Sequence, residues 1–159
     1  MRIYIASSWS NVVQPIVVQL LRDIGHEVYD FRHPAAGDDG FHWRQVGLEG
    51  TGVGRDELVR GLSHPLAEAG FEKDFGAMQR ADVCVLVLPC GRSAHAEAGW
   101  FAGQGRPVHV VWPTEDRPDL MLKMFTAIHR NLQSLVEALD LHNFATVEIL
   151  AEHTFAGSK

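Results

Sequence analysis

Apolar residues along this chain fall into two alternating rhythms. One is a short β-branched run bounded by turn residues; the other repeats apolar positions every three or four residues. Residues 2–6 (RIYIA) are a run of the first kind, closed by Ser7-Ser8, and read as a buried strand. From about Asn11 to Asp23 the second rhythm takes over, with Val12, Val13, Ile16, Val17, Leu20, Leu21 and Ile24 marking one helical face. Ser10 or Asn11 offers an N-cap, Pro15 is tolerable near the first turn, and Gly25 is the stop. HEVYDF (26–31) then reads as a second strand ending at His33-Pro34. A β-α-β unit of this kind implies a right-handed crossover and parallel strands.

Residues 34–54 are Gly-rich and polar, apart from an aromatic island at Phe41, His42 and Trp43. A loop this long inside a compact domain is usually functional or an insertion, and a lid is expected at about 37–54. Helical pattern resumes at about 55–62 and again from Pro65 to Arg80. ADVCVLVLP (81–89) is apolar on both faces, as a central parallel strand should be. After the turn CGRS come a small-residue helix at about 94–104 and a fourth strand, PVHVVW. A helical turn at 119–124, a short strand near 126–129 and a last helix from Leu132 to Leu139 complete the pattern. The tail beyond Asp140 is weakly patterned.

The predicted fold class is therefore α/β: a single-domain, doubly wound (flavodoxin- or Rossmann-like) parallel sheet of about five strands with helices on both faces. In such sheets ligands bind at the carboxyl ends of the strands, where the strand order reverses. Three turns at that edge carry the candidate binding residues. They are Ser7, Ser8 and Trp9 in the first, His33 to Trp43 in the second, and Gly91, Arg92, Ser93 and His95 in the third.

Composition narrows the class. With 159 residues, 46% of them apolar, the chain suits one domain spanning 1–159 with a real core. Its formal charge of −6, with no block of basic residues, argues against polymeric nucleic acid as a partner. No apolar run approaches the roughly 20 residues of a membrane span, and the amino terminus enters a strand at once rather than a signal peptide. The two cysteines, Cys84 and Cys90, are too far apart along an extended strand to bridge, which fits a reducing cytoplasm. The nine histidines show no metal-ligand spacing, so neither metal nor cofactor is expected.

The segment GRSAHAEAGW (91–100) follows the central strand directly. Gly91 and Ser93 are expected to let the backbone turn sharply, and Ala94, Ala96, Ala98 and Gly99 to keep the helix surface low beneath a ligand. One carboxylate, Glu97, stands in that setting. Near a helix N-terminus the macrodipole favours its ionised form, which a nucleophile needs. Spacing alone equally allows a solvated first-turn glutamate.

Three motifs in order resemble the nucleoside 2-deoxyribosyltransferases and the related nucleoside 5′-monophosphate N-glycosidases: IYIASSW (3–9), FEKDF (71–75) and GRSAHAEAG (91–99). Together they cover most of residues 1–112. The resemblance implies that Glu97 attacks the anomeric carbon and holds the sugar as a glycosyl-enzyme, that Tyr4 orients it, and that Asp74 binds the base or handles the proton on its leaving nitrogen. That chemistry parallels retaining glycoside hydrolysis, with water as acceptor giving hydrolysis and a second base giving transfer. The resemblance also implies a homo-oligomer whose sites a neighbouring subunit completes near Asp119 and Met121.

Other readings of the same residues stay open. Tyr4 also reads as an ordinary strand tyrosine and Asp74 as a solvated acid beside Glu68, Glu72 and Lys73. Trp9, Phe31 and Trp43 read either as core or as an aromatic slot for a base. Arg92 and His95 suit a phosphate or sugar hydroxyl, or simply solvent. The chain departs from the family in having glycine at 91 where the transferases carry an acid, serine at 10 where the nucleotide hydrolases offer arginine, and an acid at Asp119. The transferases' tyrosine near the carboxyl end has no counterpart in the tail. Competing readings are a TIR-like NAD glycohydrolase and a non-catalytic nucleotide-binding sensor.

Overall fold

A computed structural model describes residues 1–49, 52–115 and 117–139. The weakly patterned tail, including the position of the missing tyrosine, lies outside the described residues. The chain forms two compact units, one from Met1–Tyr29 and Ala81–Lys159, the other from Asp30–Arg80.

The first unit is a five-stranded, all-parallel sheet in the order β2-β1-β3-β4-β5, the flavodoxin-like arrangement. Its strands are β1 (Arg2–Ala6), β2 (Glu27–Tyr29), β3 (Val83–Val87), β4 (Val108–Val111) and β5 (Ala127–His129). β1 and β3 pair from Ile3↔Val83 to Ala6↔Leu86. Every residue of β3 is buried, because helices cover both faces of the sheet. Helices α1 (Gln14–Asp23) and α5 (Leu132–Leu139) cover one face, where Val17, Leu20, Leu21, Leu132 and Leu135 meet Ile3, Ile5, Val83, Val85 and Val87. Fully burying an aliphatic side chain contributes about 1.5–3 kcal/mol, so this layer dominates the exposed Arg2–Asp82 ion pair at the strand starts. Helix α4 (Arg92–Gly103) covers the other face with Ala94, Ala98 and Phe101, all buried.

Two element boundaries differ from the expected ones, each for a local reason. Helix α1 begins at Gln14 rather than near Asn11, because the Asn11 side chain accepts hydrogen bonds from the Val13 and Gln14 N–H groups and residues 11–13 form a capping turn. Strand β2 stops at Tyr29 rather than Phe31. The Asp30 carboxylate accepts from Arg32 N–H and the Asp30 carbonyl from His33 N–H, which turns the chain at once.

The second unit connects β2 to β3. It holds a 3-10 helix (Trp43–Val46), α2 (Arg55–Gly61) and α3 (Pro65–Arg80). His42 and Gln45 cap the 3-10 helix reciprocally, and Gly47 ends it at φ 73°. Glycines then admit the aromatic segment. A Cβ on Gly70 would come within 2.7 Å of Phe41 Cβ, and one on Gly61 within 2.0 Å of Leu48 Cδ1. Phe41 therefore packs on α3 and Leu48 on α2, while Lys73 Nζ donates to Asp38 Oδ2 at 2.6 Å. Gly50 and Thr51, within the expected lid, lie outside the described residues.

One polar pair lies buried in the first unit. His109 of β4 and His129 of β5 are 8% and 6% exposed, with His109 Nδ1 2.8 Å from His129 Nε2. Burial lowers both pKa values, and His109 lowers that of His129 further. As pH falls the unfolded chain therefore protonates first, near the unperturbed value of about 6.5. The stability from the neutral pair is complete above that value and is lost between it and the lower folded values. Asp38 and Asp82, held low by Lys73 and Arg2, lose theirs only below 3.8. The thermal midpoint is expected to fall as pH drops from about 6.5 toward 5, and His129→Gln to flatten that slope. Differential scanning calorimetry across this range checks it; an unchanged slope in the variant would exclude the pair as its source.

Candidate active site

The strand order reverses between β1 and β3, so the crevice at their carboxyl ends is where the first unit offers a site. Two turns leave that edge. After Ala6 the chain runs through Ser7, Ser8, Trp9 and Ser10 into α1; after Val87 it runs through a cis Leu88-Pro89 bond, Cys90 and Gly91 into α4. The Ser7 hydroxyl donates to the Val87 carbonyl at 2.9 Å, joining the turns, while the Ser8 and Ser10 hydroxyls lie 3.3 Å apart at the surface. Trp9 is 40% exposed.

Gly91 needs no special conformation. Its φ of −88° and ψ of −175° are extended backbone open to any residue, and a Cβ there would meet nothing within 4 Å. The expectation that Gly91 and Ser93 make a sharp turn is thus corrected: Gly91 is an ordinary N-cap and Ser93 lies in the helix's first turn. Arg92 and Ser93 are exposed. His95 folds back, its Nδ1 3.0 Å from the Gly91 carbonyl oxygen and 3.4 Å from Cys90 Sγ. Only a protonated Nδ1 can donate to that carbonyl, which leaves Nε2 as the acceptor of the neutral ring.

Glu97 lies in the second turn of α4, because the helix starts at Arg92 and has no acid in its first turn. The expected stabilisation by the helix N-terminus is corrected accordingly, since that effect fades beyond the first turn. The side chain is half-buried at the margin of the Ala94, Ala98 and Phe101 face. Two thiols register its charge. Burial and then Glu97 push Cys90 up to about 12, and the same causes hold the wholly buried Cys84 well above its ordinary value. Tyr4, in register with Cys84 on one side and Tyr29 on the other, is fully buried. Its ring stacks on Tyr29 at 5.5 Å and tilts against Phe101 at 5.9 Å.

The first unit thus gathers Tyr4, Ser7, Ser8, Trp9, Gly91, Arg92, Ser93, His95 and Glu97 around one sheet and one helix. Asp119 and Met121 belong to the exposed connection from β4 to β5, Asp119 opening a 3-10 helix (Leu120–Met124). The remaining candidates belong to the second unit. Asp74 is half-buried on α3, next to the Lys73 that pairs with Asp38. His33 Nδ1 lies 3.6 Å from Asp39 Oδ1, and Arg32 stacks over Phe31. Trp43 meets Phe41 edge-on at 5.1 Å and lines an apolar cavity of about 280 Å³ with Leu48, Arg55, Leu58, Val59 and Leu62. Among the described residues no three His, Cys, Asp or Glu side chains converge as metal ligands, and no helix is long and apolar enough to cross a membrane.

Sequence reasoning missed the influence of Glu97 on two thiols and the side-chain hydrogen bonds of Asn11. The alternation in VCVLV places Cys84 and Leu86 on the face opposite Val83, Val85 and Val87, which was the available signal for the first.

This architecture matches solved structures. The 2-deoxyribosyltransferase of the psychrotolerant bacterium Bacillus psychrosaccharolyticus aligns with a TM-score of 0.55 and 22% identity, over 92% of this chain and 96% of that one. The CMP N-glycosidase BcmB of Clostridium botulinum aligns with a TM-score of 0.49 and 16% identity, over 90% of this chain and 100% of that one. The first likeness shows the fold. No protein-family model and no curated protein matches the chain.

The coupling of Cys90 to Glu97 is measurable without any substrate. Peptide-resolved alkylation of Cys90 should stay slow up to high pH, since the thiolate is the reacting form. In Glu97→Gln the profile should move to lower pH, yet remain above the ordinary thiol value of 9.0 because burial persists. A profile unmoved by the substitution would show that Glu97 lies too far away to act on the thiol.

Proposed function

We propose that this chain cleaves or transfers the N-glycosidic bond of a nucleoside or nucleoside monophosphate, with Glu97 as nucleophile. The carrying observation is the half-buried Glu97 carboxylate on α4, the helix that leaves the β1–β3 switch point, with its charge felt by two thiols. Fold likeness by itself would not assign a reaction.

The neighbouring thiol is a poor competitor for that role. At pH 7 a Cys90 thiol near 12 is ionised in about one molecule in 10⁵, too small a fraction to compete. In the proposed reaction a Glu97 oxygen bonds to the anomeric carbon as the bond to the base nitrogen breaks, its electron pair leaving with the base. Asp74 is assigned the proton that neutralises that nitrogen. Water, or a second base, then takes the sugar from Glu97 and returns the carboxylate. Tyr4 is assigned to orient Glu97, its ring held rigidly between Tyr29 and Phe101. Exposed Arg92, and His95 through Nε2, suit a 5′-phosphate or sugar hydroxyl, while Trp43 offers an aromatic face for a base.

Incubation with a panel of nucleosides, nucleoside monophosphates and NAD, with and without a second base, should release or exchange the base. Glu97→Gln should lower turnover by at least about a thousandfold with an unchanged thermal midpoint. A variant retaining most of its activity would remove Glu97 from the mechanism.

A homo-oligomer is part of the same proposal. Leu120, Met121 and Met124 are 77%, 62% and 52% exposed in one short segment, an apolar surface that a second copy would cover beside Asp119. Light scattering is expected to give a dimer or larger closed assembly, and Met121→Asp to shift it toward monomer with loss of turnover. An active monomer at assay concentration would refute this.

A further inference from the structure

Asn11 is 4% exposed and uses the full hydrogen-bonding capacity of its amide. Its Oδ1 accepts from Val13 N–H at 2.7 Å and Gln14 N–H at 3.1 Å. Its Nδ2 donates to the Val87 carbonyl at 3.1 Å and the Pro89 carbonyl at 3.0 Å. The acceptances lie in the turn from β1 to α1; the donations lie in the turn from β3 to α4. Ladder pairing between β1 and β3 ends at Ala6↔Leu86, so beyond that point the two turns are joined by side chains. Ser7 supplies a further such bond, to the same Val87 carbonyl.

The start of α4 is braced from within by His95, which reaches back to the Gly91 carbonyl and Cys90. Gly91 caps the helix without a side-chain bond and its Cα faces open space. The Pro89 carbonyl, two residues short of Gly91, is where this segment is tied to the β1–α1 turn, and Asn11 holds it. A shift of that carbonyl would travel along a rigid helix to Glu97, and misplacement by about 1 Å can cost on the order of a hundredfold in rate.

We propose that Asn11, with Ser7, is a clasp across the switch point and a positioning residue for the reaction at Glu97. The clause about reaction rests on the function proposed above; the clasp itself does not. A helix cap alone would be a merely structural role, and it is separable. Asn11→Ser retains a hydroxyl acceptor for the α1 N–H groups but cannot span to Val87 and Pro89.

The experiment compares wild type, Asn11→Ser and Ser7→Ala by thermal midpoint, by kcat and KM on the substrate found active, and by the pH profile of Cys90 alkylation. Cys90 follows Pro89 directly, so it reports the geometry of the clasped turn whether or not any substrate is known. Asn11→Ser is expected to fold, to lose tenfold to a hundredfold in kcat with KM changed less, and to alkylate Cys90 at lower pH as the turn opens. Ser7→Ala should move the Cys90 profile in the same sense by less. A folded Asn11→Ser with wild-type kcat and a wild-type Cys90 profile would overturn the proposal. If Asn11→Ser does not fold, a Ser7→Ala protein with a wild-type Cys90 profile would overturn it instead. Wild-type inactivity on every substrate would defeat the assigned reaction, yet a shifted Cys90 profile would still establish the clasp.

Discussion

The pairing of β1 with β3 is the constraint on which the rest of this fold depends. It brings Ile3–Ala6 against Val83–Leu86 across a long stretch of chain and leaves β3 covered on both faces. Closing so long a loop costs entropy that grows only slowly with length, and burial of the paired strands offsets it. Once the pair exists, strand order must reverse there, because β2 adds outside β1 while β4 and β5 add outside β3. The crevice at the carboxyl ends follows from that reversal before any residue at the edge is chosen.

How far the sequence disclosed this depends on the range of each interaction. Strand and helix periods are properties of consecutive residues, so RIYIA, VCVLV and the Leu132–Leu139 helix were legible, as was the placement of Glu97 after the central strand. Interactions between segments were not. Nothing in the spacing of Asn11 says that its amide will reach Val87 and Pro89, or that His109 and His129 will meet on neighbouring strands. The same limit applied to conformation: glycine at 91 suggested a sharp turn that needs glycine, but its φ of −88° is one any residue adopts. Conversely, Gly61 and Gly70 lie within helical patterns that give no reason for glycine, and the close approach of Leu48 and Phe41 supplies one.

The electrostatics around Glu97 separate two chemistries that a list of residue types would leave mixed. A cysteine next to a histidine suggests an activated thiolate, and Cys90 has His95 at 3.4 Å. Activation needs a positive partner and access to water. Here burial and the Glu97 charge both act the other way, so the thiol stays protonated and is poorly suited to attack. The His95 Nδ1 proton points at the Gly91 carbonyl, which ties the ring to the helix start rather than to the sulfur alone.

The small residues of α4 carry a similar lesson about which surface a pattern serves. Ala94, Ala96, Ala98 and Gly99 suggested a low helix surface for a ligand. Ala94 and Ala98 are instead 1% and 0% exposed, one turn apart on the buried face of the helix and in line with Phe101. Their lack of bulk lets the helix axis approach the strands closely, since side-chain size sets the separation of packed elements. That approach has a consequence for Glu97, which neighbours Ala98 in sequence and stands at the margin of the same face. A larger residue at 98 would lift the helix and carry the carboxylate away from Cys84 and the sheet. Ala94 and Ala98 thus act on the candidate nucleophile through the depth at which they seat its helix, and contact with a ligand is not required to account for them.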